Sequence, residues 1–89
     1  PKNLTDIECG KSIKRARVGC GINTNILACL ISMKRQKVLP VDTLREWEQG
    51  KFAYPQNSMK ILGMIVDILI HYRKEQNDEY IKWGSISFD

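Results

Sequence analysis

The cysteines and the histidine are the first side chains to consider, because they could hold a metal or attack a carbonyl. Cys9, Cys20 and Cys29 are odd in number and contain no Cys-x-x-Cys pair, so they define neither a disulfide framework nor a zinc site. His71 is the only histidine and adds no second ligand. No Ser/His/Asp, Cys/His or glycine-rich phosphate-binding arrangement has workable spacing. The expectation is therefore a non-enzyme with no metal and no cofactor. Each cysteine falls in an apolar helical pattern and is expected to be buried as a small hydrophobe, which suits a reducing cytoplasm.

The remaining chemistry is cationic. Lys34, Arg35 and Lys37 form a basic run, and Lys51 stands further along. Such groups neutralise phosphates and release condensed counterions. Fourteen Lys and Arg against ten Asp and Glu give a formal charge of +4, a moderate bias toward a polyanionic partner. Between these clusters lies Asp42-Thr43-Leu44-Arg45-Glu46. Arg45 can donate two hydrogen bonds to guanine, Thr43 can touch a thymine methyl or a phosphate, and Glu46 can accept from cytosine. Asp42 is better suited to capping a helix. A membrane is not an expected partner: the longest apolar stretch, Ile61 to Ile70, is broken by Gly63 and Asp67 and falls short of the roughly 20 residues a spanning helix needs.

These groups need elements to hold them, and the periodicity predicts helices throughout. After a loose end at residues 1 to 4, Thr5 and Glu8 have capping-box spacing, so a first helix begins near Asp6. Cys9, Ile13, Ala16 and Cys20 make its apolar stripe, and Gly19 and Gly21 end it. Asn23 caps a second helix, with Ile26, Leu27, Leu30 and Ile31 as its buried side. Met33 to Val38 reads as a basic loop or a frayed helix end. Pro40 and Asp42 open a short third helix that buries Leu44 and Trp47 and stops at Gly50. Phe52 and Tyr54 sit in a turn and can fold back onto the core. Asn57 or Ser58 caps a long fourth helix to about Glu75, whose arc from Ile61 to Leu69 is wide enough for either deep burial or a dimer surface. Gln76 to Glu79 reads as a turn. Residues 80 to 89 have a strand-like aromatic composition, expected to pack back through Trp83 and Phe88 or to pair with a second subunit. With 43% hydrophobic residues in 89 there is material for one core: an all-α domain over residues 1–76, with a tail over 77–89 for packing or dimerisation.

The block Ile22-Asn23-Thr24-Asn25-Ile26-Leu27-Ala28, followed by Val41-Asp42-Thr43-Leu44-Arg45-Glu46-Trp47-Glu48-Gln49-Gly50-Lys51 and then Pro55, resembles the Cro/repressor-type (XRE-like) helix-turn-helix regulators. The resemblance spans about Lys11 to Ile70, and its specific part is the Trp-Glu-x-Gly close of helix 3. It implies a four- to five-helix, lambda-repressor-like fold with a C-terminal aromatic tail. It also implies that Asn23, Thr24 and Asn25 at the start of helix 2 lie near DNA, with Thr24 where the family often has a phosphate-touching Gln. Arg17 and Glu48 match positions that form an ion pair between helix 1 and the end of helix 3. One departure is plain: the chain between Ala28 and Trp47 is longer than the family spacing, so either helix 2 is extended or the basic loop bulges.

The resulting expectation is a sequence-specific regulator of double-stranded DNA, a dimeric repressor of phage, plasmid or antitoxin type. Its contact residues would be Asn23, Thr24, Asn25, Lys34, Arg35, Lys37, Asp42, Thr43, Arg45, Glu46 and Lys51. The rival expectation is a protein-interaction module on the same fold that has lost DNA readout and meets its partner through helix 4 or the tail.

Overall fold

The computed structural model describes residues 4–54 and 56–84, with side chains as far as Glu79. The expectations for the extreme N-terminus, for Pro55 and for Ser85 to Asp89, including Phe88, lie outside the described residues. Within them the chain is all-helical and contains no strand: α1 (Asp6–Gly19), α2 (Thr24–Arg35), α3 (Val41–Glu48) and α4 (Ser58–Gly84). No single helix among the described residues is long and apolar enough to cross a membrane.

Helix α1 starts where the Thr5–Glu8 spacing requires. The Glu8 backbone N–H donates to Thr5 Oγ1 at 3.1 Å, and the Thr5 N–H donates to Glu8 Oε1 at 3.0 Å. That second bond, to the charged form, holds the Glu8 carboxyl below the usual carboxylate range. At the other end Gly21 takes φ +72°, a left-handed conformation that costs a residue with a Cβ but not glycine. The chain then turns by 103° into α2.

In α2, Asn23 Oδ1 accepts from the Ile26 N–H at 2.9 Å, satisfying one of the free donors of the first turn. The buried face is Leu27, Ala28 and Ile31. Ile26 was expected on that face but is 42% exposed: with Leu27 and Ile31 pointing inward, a residue one step earlier lies about 100° round the helix. Cys29, one residue further round, is likewise exposed rather than buried.

The segment from Met33 to Val38, read as a basic loop or a frayed helix end, is divided between helix and connection. Lys34 and Arg35 are the last turn of an extended α2, and Lys37 lies in the connection Gln36–Pro40 that follows. Gln36 is left-handed at φ 55°, a cost of about 1 kcal/mol for a residue with a side chain. The local hydrogen bonds Gln36 N to Met33 O and Lys37 N to Ser32 O accompany it, closing the helix as a Schellman-type end. Ser32 then fixes the loop: its hydroxyl donates to the Ala28 carbonyl at 2.7 Å and accepts from the Leu39 N–H at 2.8 Å. Leu39 is buried.

Helix α4 opens with Asn57 as the cap, its side-chain oxygen accepting from the Met59 and Lys60 N–H groups. The neighbouring Ser58 is buried and donates to Asp6 Oδ1 at 2.7 Å, joining the starts of α1 and α4. The turn expected at Gln76 to Glu79 does not hold, nor does the strand-like reading as far as Gly84, because α4 is continuous to that residue; the expected packing of the Trp83 side chain lies outside what is described. Gln and Glu are good helix formers, no Gly or Pro interrupts the chain between Gly63 and Gly84, and extending an existing helix avoids the cost of a new nucleus. The core is one cluster to which every helix contributes, with Ile13, Leu27, Ile31, Leu44 and Ile65 fully buried.

Candidate functional site

Helix α3 is held from three sides. Leu44 is wholly buried and Trp47 is 2% exposed. The Trp47 ring stacks on Phe52 with centroids 6.1 Å apart, and its Nε1–H donates to Gln56 Oε1 at 3.2 Å. The same oxygen accepts from the Ala53 N–H, so the turn after α3 folds back onto the helix that precedes it. Phe52 behaves as expected, whereas Tyr54 is 98% exposed: the Gln56 bridge already closes the turn and leaves that side chain outside.

The third hold is ionic. Arg17 Nε and Nη2 donate to the two carboxylate oxygens of Glu48 at 2.7 and 3.0 Å, and Nη1 donates to the Ile22 carbonyl at 3.0 Å. The two side chains are 12% and 9% exposed. A bidentate pair with a third bond on the guanidinium fixes orientation as well as charge. It ties α1, the α1–α2 turn and the end of α3 together, as the resemblance implied for these two residues.

Glycines set how closely α1 and α3 approach. A Cβ on Gly10 would stand 2.8 Å from the Gly50 nitrogen and 2.9 Å from the Glu48 carbonyl oxygen. Gly50 has φ +85° and a Cβ there would meet the Ile7 Cα at 2.8 Å. Sequence pattern marked Gly50 as a helix stop but gave Gly10 no role, since a close approach between elements leaves no mark in helical periodicity.

With its back so fixed, α3 presents Asp42, Arg45, Glu46 and Gln49 to solvent, and Thr43 at the half-buried flank. Arg45 Nη1 and Asp42 Oδ1 are 3.1 Å apart, with the two side chains 54% and 87% exposed; such a pair contributes about 0–1 kcal/mol and opens readily. Asp42 was expected to cap α3. Instead its carboxylate engages Arg45, and α3 has Pro40 at its N-cap with no side-chain hydrogen bond there. Gln49, four residues from Arg45, shares its face and was not among the expected contact residues. Spacing from Arg45 was the signal that could have found it.

The other expected contact residues flank this face at three places along the chain. Asn23, Thr24 and Asn25 form the start of α2: Asn23 and Asn25 are exposed, Thr24 is half-buried, and Asn23 spends its oxygen on the cap. Lys34 and Arg35 end α2, Lys37 follows in the connection leading into α3, and all three are exposed. Lys51, also exposed, comes directly after Gly50. The α3 face thus carries two carboxylates and one guanidinium, with cations before and after it in the chain. No family model, curated protein or solved structure matches this chain.

Metal and redox chemistry have little material here. Among the described residues no group of three His, Cys, Asp or Glu could hold a metal ion, and the three thiols are free: Cys9 on α1, Cys20 at the cap that follows it and Cys29 on α2. His71 pairs with Glu75 one turn on, at 3.0 Å on the exposed surface of α4. What the arrangement can do is present a fixed helix of mixed hydrogen-bonding character to a surface.

Proposed function

We propose that this protein is a sequence-specific DNA-binding regulator of the helix-turn-helix type, with α3 entering the major groove. One observation carries the reading: Leu44, Trp47 and the Arg17–Glu48 pair fix one side of α3, while Arg45, Glu46 and Gln49 are exposed on the other, Arg45 held only by its solvent-exposed pair with Asp42. A major groove about 12 Å wide admits one helix. Arg45 then reads guanine, Glu46 accepts from cytosine and Gln49 addresses adenine, the pairings that donor and acceptor geometry favours. Lys34, Arg35, Lys37 and Lys51 contact phosphates, and the uncapped N–H groups at the start of α3 add a weak attraction for anions. Repression of phage, plasmid or antitoxin type is the role we assign to such a module.

Selection from a random duplex library tests this. The expected result is an enriched motif containing a G·C pair whose preference disappears in Arg45→Ala; recovery of random sequence alone would contradict it.

A second reading has its own support. Asp42 and Glu46 are exposed carboxylates on the α3 face, and Arg45 is engaged with one of them, which suits a basic protein partner better than a phosphate backbone. Titration with random duplex DNA at low and high salt separates the two. A regulator binds at low salt with a steep salt slope, and an interaction module does not bind.

A further inference from the structure

We propose that two copies of this chain pair antiparallel through the outer halves of α4. The Tyr80–Trp83 turn of each copy lies along a groove of the other between α2 and α4. The inference stands apart from the DNA reading and starts from where α4 leaves the body. Ile65 and Leu69 are buried, Tyr72 is half-buried, and every residue from Arg73 to Glu79 is exposed, yet the helix continues to Gly84. At about 1.5 Å per residue its end stands roughly 18 Å beyond Tyr72. Positions 65, 69, 72 and 76 follow three- and four-residue steps, so the face that packs on the body runs on into Gln76 without a partner.

A groove of ≈ 340 Å³ opens beside the point of departure, its apolar walls Leu30 and Met33 from α2 and Ile68 and Tyr72 from α4, with Lys34, Asp67, His71 and Glu75 at its polar edges. Met33 is 68% exposed there. The apolar residues of this chain nearest to filling it in sequence are Tyr80, Ile81 and Trp83. An unbroken helix carries their backbone away from the groove of the same molecule, and only a second copy running the other way brings them back to it.

The charge order of the arm selects the direction. Arg73 and Lys74 stand at its inner end and Asp78 and Glu79 at its middle, with Lys82 beyond them. An antiparallel overlay centred on Gln76 sets Arg73 level with the second copy's Glu79, Lys74 level with its Asp78 and Lys82 level with the uncharged Ile70. A parallel overlay stacks like charges. The arrangement is self-complementary and closes as a two-fold dimer.

The test uses the full chain with Cys20 and Cys29 replaced by serine. Equal amounts of Arg73→Cys and Glu79→Cys variants are mixed and treated with a short bismaleimide. The mixed cross-link is expected to dominate; no cross-link, or products joining only identical variants, would overturn the antiparallel pairing. Sedimentation equilibrium of Met33→Asp and Trp83→Ala, both with unchanged helical circular dichroism, is expected to show dimerisation weakened by on the order of tenfold or more. Dimers as tight as the parent, or a parent that is monomeric, would refute the proposal. Binding of random duplex by the α3 face is read separately by its salt slope on Trp83→Ala, which leaves the charges at Lys34 and Arg35 untouched.

Discussion

Arg17 is the side chain on which the placement of α3 depends most. Its guanidinium serves Glu48 twice and the Ile22 carbonyl once, in a setting where both partners are nearly excluded from solvent. Removing one partner leaves the other charged and largely buried, so Arg17→Ala and Glu48→Ala are each expected to cost about 3 kcal/mol or more. A double-mutant cycle by urea denaturation checks this. The double variant should cost clearly less than the sum of the two single variants, and simple additivity would mean the pair does not act as a unit. Gly10→Ala tests a different constraint. The added methyl has nowhere to go against the Glu48 carbonyl and the Gly50 nitrogen, so α3 must move or the protein loses stability; the same change at Gly19, where nothing lies within 4 Å, is expected to be tolerated. Thermal melts of the two variants provide the comparison.

The helices follow from local chemistry, and their ends are where the sequence was most readable. Thr5 with Glu8, Asn23, Gly21 and Asn57 each announce a boundary through a donor, an acceptor or a permissive backbone, and the structure uses each of them. The capping box also has a pH signature. Because the hydrogen bond from Thr5 lowers the Glu8 pKa in the folded protein, its contribution to stability is present above the ordinary glutamate range near pH 4.3. It is lost as pH falls through the lowered value. Glu8→Gln is therefore expected to remove part of the acid dependence of the melting temperature below about pH 5, and an unchanged pH profile would contradict that role. Two features escaped the sequence for physical reasons. The polar run Gln76 to Glu79 resembles a turn by polarity alone, but it contains no residue that stops a helix. The Ser32–Leu39 bond that shapes the α2–α3 connection joins a helical residue to one beyond the left-handed turn at Gln36, and side-chain periodicity carries no signal across such a reversal.

At the scale of the whole molecule, three helices and the first half of α4 form a body around one core, and the second half of α4 extends from it, giving extents of 57 × 31 × 18 Å. Composition foretold the single core, and periodicity foretold which residues of α3 face inward. Neither could foretell the meetings between helices that hold it: Gly10 against Gly50, Ser58 against Asp6, Gln56 against Trp47. The Arg17–Glu48 pairing was legible through the resemblance, but the exposed face of α3 was legible only as residue types, since Asp42 met Arg45 instead of the helix end. Cations lie before and after the α3 face, so the proposed DNA binding would be electrostatic as well as geometric. Replacing Arg35 and Lys37 by alanine is expected to weaken binding to all duplexes alike and to lower the magnitude of the salt slope by about one unit for each phosphate no longer neutralised.

The central claim is that a rigidly held α3 uses Arg45 to distinguish base sequence, and the measurement closest to it is a ratio. Affinity for the selected duplex is divided by affinity for a scrambled duplex at fixed salt, in the parent protein and in Arg45→Ala. The ratio is expected to fall by roughly 5- to 150-fold, the equivalent of about 1–3 kcal/mol for one bidentate contact to guanine, with affinity for the scrambled duplex nearly unchanged. A ratio that is the same in both proteins would contradict it.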